Sequence, residues 1–308
     1  SKAGLGKDVY EVANFIFYRI RGGLGIATVA ANAIFASITG SSIASASVFT
    51  RVAIPEMRRF GYKPRFTVGV VAGSSVLGML IPPSAMLIIY AIVTEQSVGR
   101  MFIAGIIPGI LLAACFGILI LFLAYTFPKY VGGQDSADIA AEDWANLTWM
   151  DLVLKIIPVI VLVLVVLGGI YGGVFTPTEA GAAGSLAALV IALIKKSFSW
   201  RDLWEVLVET GYITATILFL ITTASMYSRM LGVAALPTVF GEWLTSFDLN
   251  LIQLMVIYVI LMVLLGTIIE TASIILIVVP LFLVVLDSFN VDLVWFGIIT
   301  VVGAEIGL

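Results

Sequence analysis

GGLGIATVAANAIFASITGSSIASASVFT, residues 22–50, runs for 29 residues without a charge. A membrane-crossing helix needs roughly 20 apolar residues, so the run is long enough to span. Its second half has the wrong composition for a simple span: TGSSIASAS (39–47) puts small, hydroxyl-bearing residues where Leu or Ile would face lipid. The run reads as an arm of about 17 residues, a break at Gly40, and a second arm of about 14. Non-helical backbone at membrane depth survives only inside protein or beside water, because lipid cannot satisfy its N–H and C=O groups. Residues 22–56 are therefore expected to form a re-entrant helical hairpin. The competing reading is one helix whose small residues make a packing seam.

The same pattern returns near the other end. Residues 249–269 are uncharged and close on GTIIETAS (266–273), after which an apolar segment resumes at Ile274. Residues 250–285 thus read as a second re-entrant hairpin. Between the two, the run 66–94 carries IPPSA at 81–85. Pro82 and Pro83 remove two backbone donors and clash with the preceding turn, so 66–93 is expected to be a broken helix, 66–80 and 84–93. A plain proline kink is the alternative. The runs 101–128, 156–178 and 210–228 fit ordinary spans.

Composition agrees with a life in lipid. Of 308 residues, 61% are hydrophobic and 11% charged, against about 25% charged in soluble domains. That excludes a water-soluble enzyme, and a net charge of -3 gives no field for nucleic acid. The sequence has no His, which removes the commonest general base and metal ligand. Its one cysteine, Cys115, lies in an apolar run and reads as a small packing residue. An intramembrane enzyme using Ser41, Ser42 or Glu270 lacks a base near those serines; no enzymatic activity is expected.

Loop charges give an orientation. Arg58, Arg59, Lys63 and Arg65 crowd RRFGYKPR (58–65), and Lys195, Lys196 and Arg201 flank another loop. Positive loops stay in the cytoplasm, and counting crossings from them makes the two hairpins enter from opposite faces. The loop 129–150, with Asp135, Asp138, Glu142 and Asp143, disagrees, but acidic residues weigh little in the rule. At an offset of 229, FGYKPRF (60–66) falls on FNVDLVW (289–295) and Gly78 on Gly307; at 225, Pro55 falls on Pro280. These matches fit an inverted-topology repeat.

The expected organisation is a first repeat at 1–127, holding hairpin 22–56 and broken helix 66–93. Linker and scaffold helices follow at 128–248, with an interfacial amphipathic helix at 199–208 (Trp200 and Trp204 between charges). The second hairpin and the start of a second broken helix occupy 249–308. The last run stops inside an apolar stretch, so the chain reads as an internal fragment, and a partner for IPPS is expected directly after Leu308.

Five stretches in this order resemble a known family: IRGGLGIATVAANAIFASITGSSIASAS (20–47), IPEMRRFGYKP (54–64), IPPSAMLIIYA (81–91), FIAGIIPGILLA (102–113) and GVFTPTEAGAAG (173–184). The sequence resembles the large, DctM-type membrane subunit of TRAP transporters, the tripartite ATP-independent periplasmic systems, over nearly its whole length. The resemblance implies an all-α, elevator-type secondary transporter in the bacterial inner membrane. Such a subunit imports an organic acid handed over by a periplasmic binding protein, coupled to sodium, and works with a small four-helix membrane subunit. A stand-alone sodium-coupled dicarboxylate or citrate carrier of similar build is the alternative.

Physical chemistry nominates the site residues. Sodium is a hard cation that takes oxygen ligands, and hairpin tips and broken helices supply carbonyls for it while half-helix N-termini face an anion. The first candidate site joins Gly40, Ser41 and Ser42 to Pro82, Pro83 and Ser84. The second joins Gly266, Thr267, Glu270 and Thr271. Ser41, Ser42, Thr267 and Ser273 are the candidates for holding a substrate carboxylate. Glu270 could be a sodium ligand, a proton-coupled group or a solvated tip residue; Glu305 is a second intramembrane carboxylate. Arg51 reads as snorkelling to the cytoplasmic surface. In TPTE (176–179), Thr176, Pro177 and Glu179 spell a helix-capping box. The sequon Asn146-Leu147-Thr148 falls in a loop assigned to the cytoplasm and is expected to be idle.

Overall fold

A computed structural model describes residues 4–133, 148–195 and 199–307. Regular structure among the described residues is helical, with one isolated bridge between Tyr62 and Gly132. The acidic loop residues Asp135, Asp138, Glu142 and Asp143, the sequon residues Asn146 and Leu147, Lys196, and the break expected after Leu308 lie outside the described residues.

Among the described residues, Val98–Thr126, Trp149–Tyr171, Pro177–Ile194, Trp200–Val233 and Thr271–Ser288 are long and apolar enough to cross a membrane, and Pro64–Leu80 with Ala85–Val93 forms an interrupted span. Their surroundings differ. At most 17% of the apolar window is buried in the first four, against 56% in Thr271–Ser288. Ile107, Leu154, Leu186 and Phe219, one on each of those four, point outward, as side chains facing lipid do. Thr271–Ser288 is instead wrapped by its own chain. The chain is an all-α integral membrane protein.

Two compact units divide the chain: residues 1–84 with 105–198, and residues 85–104 with 199–308. Each contains one helical hairpin. In the first unit, Gly23–Thr39 is the inner arm and Ser42–Arg59 the second arm. Phe35 and Phe49 meet edge-on with centroids 5.7 Å apart, and the Thr28 hydroxyl reaches Met57 Sδ at 3.6 Å. Contacts that pair residues on either side of residue 42, first near the tip and then farther down the arms, mean that the chain doubles back. Helix Leu5–Phe17 covers this pair, with Val9, Tyr10 and Ala13 packed on Ala27, Ala31 and Phe49. Ion pairs from Asp8 to Lys195 and from Glu11 to Lys155 tie the covering helix to the ends of two spans.

The second unit repeats the plan. Leu251–Gly266 and Thr271–Ser288 are its arms, and Tyr258 packs on Phe282 at 4.8 Å, each twelve residues from Glu270. Helix Ala85–Val93 lies against this hairpin's neighbour Leu293–Gly307, where the Tyr90 hydroxyl donates to the Leu293 carbonyl at 2.7 Å. The second arms start 229 residues apart, at Ser42 and Thr271, and so do the following helices, at Pro64 and Leu293. The offset that aligns FGYKPRF on FNVDLVW is therefore the structural register. The pairing of Pro55 with Pro280 is not: at 229, Pro280 stands where the first arm has Arg51, one helical turn from Pro55.

Three expectations need correction. The second arms are 18 residues each, longer than read from the apolar runs, because the helices continue through Glu56 to Arg59 and through Asp287. Residues 199–208 form no separate interfacial helix; they are the first turns of Trp200–Val233, one helix of 34 residues started by a Ser199–Asp202 capping box. Cys115 is exposed on Val98–Thr126 and packs into no core. The capping box at Thr176 and Glu179 is present as read: the carboxylate accepts from the Thr176 N–H at 2.8 Å and the Thr176 hydroxyl accepts from the Glu179 N–H at 3.3 Å.

Candidate functional site

Each unit presents one hairpin tip, held by the helix that runs beside the inner arm. In the first unit that helix is Pro64–Leu80. It lies parallel to Gly23–Thr39 with a separation of about 40 residues: Gly25 touches Phe66 and Asn32 Nδ2 donates to Ser74 Oγ at 2.6 Å. In the second unit Leu293–Gly307 plays the same part, with Tyr258 bonded to Thr300 at 2.9 Å and Met262 against Gly303. Asn32 to Ser74 and Tyr258 to Thr300 are both 42 residues apart. Hydrogen bonds across helices in an apolar medium fix such a register.

The first tip is shaped by two glycines. Gly40 ends the inner arm at φ 59°, a left-handed conformation that suits Gly. Ser41 is then extended and caps the second arm, its Oγ accepting from Ala44 N at 3.3 Å. Gly78, in the last turn before IPPS, lies so close that a Cβ there would stand 2.8 Å from the Ser41 carbonyl and 3.1 Å from Ser42 N. Packing therefore brings Gly40, Ser41 and Ser42 to the end of Pro64–Leu80. Pro82 and Pro83 lack N–H groups, so the Gly78 and Met79 carbonyls have no donor four residues on. The buried Ser84 hydroxyl donates back to the Met79 carbonyl, across the proline break. Nearby in the same hairpin, Asn32 Oδ1 and Ser45 Oγ are buried without a hydrogen-bond partner among the described residues. Only neutral oxygens gather here, and no group of three His, Cys, Asp or Glu occurs among the described residues. Such a donor set suits a weakly held monovalent cation better than zinc.

The second tip differs in charge. Gly266 is buried against Ala304 and Gly307. Thr267 is exposed, and its hydroxyl donates to the Leu264 carbonyl at 2.7 Å. Glu270 caps the second arm in an extended conformation, exposed and making no side-chain cap. Thr271 is buried, and its hydroxyl donates to Glu305 Oε1 at 2.8 Å, while Oε2 has no partner among the described residues. The costly buried carboxylate is thus Glu305, 2% exposed, rather than Glu270. Sequence alone names Glu305 only as a second intramembrane carboxylate; the signal for more is its place near the end of a helix that aligns with the first unit's tip-bracing helix.

Ser273 does not join Thr267. It lines a cavity of about 360 Å³ against Trp200–Val233, with Thr223, Tyr227 and Leu276. A neighbouring cavity of about 260 Å³ shares Ala224 and Leu276 and adds Glu95, Ser225, Ser228 and Arg229. Arg229 is the sole Lys or Arg between residues 202 and 308. Sequence reading missed it, although a solitary cation in so long a stretch was there to see.

A family model described as the DctM component of the tripartite ATP-independent periplasmic transporter matches residues 1–308. The chain belongs to the DctM family. It is 34% identical over 310 residues to the C4-dicarboxylate TRAP transporter large permease protein DctM of Pseudomonas aeruginosa, an alignment covering 99% of this chain and 70% of that protein. The Rhodobacter capsulatus protein of the same name is 32% identical, with 99% and 71% covered. The isethionate TRAP transporter permease protein DctMQ of Oleidesulfovibrio alaskensis is 29% identical over 99% of this chain and 47% of its own length. Membership of the DctM family fits the outward-facing spans and the paired hairpins.

Proposed function

We propose that this DctM-family chain is the large membrane subunit of a sodium-coupled importer of an organic acid in the bacterial inner membrane. The hairpins and the helices that brace them form the moving carrier; the long outward-facing helices act as scaffold, and the carrier alternates between faces in the elevator manner. One observation carries the reading: both hairpin tips are pinned by a parallel helix at the same 42-residue step. Two oxygen-lined tips of one plan suit an ion and its co-transported anion.

Sodium is assigned to the carbonyl and hydroxyl oxygens of Gly40, Ser41, Ser42 and Gly78, next to the Pro82-Pro83-Ser84 break, and to Gly266, Thr267, Glu270 and Thr271 at the other tip. The acid group is assigned to Ser273 with Arg229 in the second unit's adjoining cavities, and the hydroxyls of Ser41 and Ser42 at one tip and of Thr267 at the other are the further candidates, each within its own unit. The relatives' names cover a C4-dicarboxylate and isethionate, both anions with an acid group, and an Arg suits carboxylate and sulfonate alike. A small membrane subunit and a periplasmic binding protein complete the machine.

The test is reconstitution of the subunit with its small partner in proteoliposomes, with binding protein outside and an inward sodium gradient. Uptake of one organic acid that needs both the gradient and the binding protein is expected. Equal uptake without sodium overturns the coupling, and uptake without binding protein overturns the tripartite assignment.

A further inference from the structure

A cavity of about 490 Å³ opens in the first unit between helix Leu5–Phe17 and the second arm Ser42–Arg59. Lys7, Arg51 and Arg59 line it together with Glu11 and Glu56. Both carboxylates are already engaged: Glu11 lies 2.5 Å from Lys155 and 3.7 Å from Lys7, and Glu56 lies 3.6 Å from Arg59. Arg51 is exposed and has no ion pair among the described residues. Tyr10 and Asn14 line the same cavity, 2% and 1% exposed, and Asn14 Oδ1 has no hydrogen-bond partner among the described residues. Buried polar atoms are almost always bonded, so the cavity holds an unmet acceptor and, among the described residues, an unpaired cation.

We infer that this cavity binds the headgroup of an anionic phospholipid, with its phosphodiester on Arg51 and Lys7 and a headgroup hydroxyl donating to Asn14. Depth supports a lipid over a solute. Arg51 precedes Arg58 by seven residues, roughly 10 Å along a helix, and Arg58 opens the basic loop RRFGYKPR. That places Arg51 at headgroup level on the positively charged face, where basic pockets between helices take anionic lipids. Val52 and Pro55 add an apolar wall suited to the glycerol and first methylenes. Inorganic phosphate shares the charge but cannot use that wall. Phosphatidylcholine has the phosphate but no net charge and no hydroxyl for Asn14.

The test is native mass spectrometry and thermal unfolding of the purified subunit with added phosphatidylglycerol, phosphatidic acid or phosphatidylcholine of matched chains, and with glycerol phosphate alone. Phosphatidylglycerol should be retained at least tenfold better than phosphatidylcholine and raise the unfolding temperature. The double substitution Lys7→Gln, Arg51→Gln, at two exposed positions, should abolish that preference. Asn14→Leu should equalise phosphatidylglycerol and phosphatidic acid while both remain ahead of phosphatidylcholine. Equal retention of all three lipids by the unaltered subunit, or an undiminished preference in the double variant, overturns the site. A full thermal shift with glycerol phosphate alone overturns the lipid as occupant.

Discussion

Thr271 donates its hydroxyl proton to Glu305 Oε1 across 2.8 Å, joining the first residue of the second hairpin's second arm to the helix beside the inner arm. The bond stands at the start of an 18-residue helix, where the helix dipole favours a negative group. It makes the second tip a carboxylate-bearing one, while the first tip is built of neutral oxygens.

Removing one partner should be costly. Thr271→Val leaves Glu305 without its described bond, and a hydrogen bond to a charged group contributes about 1.5–3 kcal/mol. Sodium-driven uptake should fall about tenfold or more. Thr271→Ser, which keeps the hydroxyl, should retain most of it. Equal losses in the two variants would show that the hydroxyl is not what matters.

Gly78 offers a steric test. A methyl placed 2.8 Å from the Ser41 carbonyl must push the tip away, and overpacking of this kind costs about 1–3 kcal/mol. Gly78→Ala should lower the unfolding temperature and raise the sodium concentration for half-maximal uptake. Gly69 in the same helix has open space where a Cβ would go, so Gly69→Ala should be neutral or slightly stabilising. Identical behaviour of the two would count against a tip held by close approach.

The two inter-helix bonds can be weighed separately. Double-mutant cycles on Asn32 with Ser74, and on Tyr258 with Thr300, should each give coupling of about 0.6 kcal/mol, up to about 2 kcal/mol. Unfolding in mixed micelles reads the coupling. A cycle that closes to zero at either pair would remove that pair's claim to set the register.

Arg229 separates anion binding from ion coupling. Arg229→Gln should raise the KM for the organic acid about tenfold or more while leaving half-saturation by sodium within about twofold, as expected when one charge-assisted contact of about 1.5–3 kcal/mol is lost. Arg229→Lys should recover part of the loss. A wild-type KM in Arg229→Gln would remove the cavity beside Ser273 from the substrate path.

Much of this architecture is legible in the sequence. The hairpin breaks fell where Gly, Ser and Thr interrupt apolar runs, since those residues offer lipid nothing. The interruption at Pro82 and Pro83 followed from two missing donors. What the sequence hid were matters of partners. Glu270 and Glu305 look alike as letters, and only the parallel packing of Leu293–Gly307 on the inner arm decides which carboxylate is buried. Ser273 sits near Thr267 in sequence, but helical rotation turns it toward Trp200–Val233. The stretch 199–208 carries an interfacial pattern, yet nothing in it stops a helix, so it runs on to Val233. Cys115 looked like core filler because a helix facing lipid is as apolar as one facing protein.

The paired bonds from Asn32 to Ser74 and from Tyr258 to Thr300 have a mechanical consequence. An inner arm clamped along its length to a neighbour behaves as a plank and not as a hinge, so a push at one end arrives at the other undiminished. Under the proposed elevator motion, whatever sits at the tip would ride with the plank, and the resistance to its journey would come from the surrounding membrane rather than from breaking the cradle.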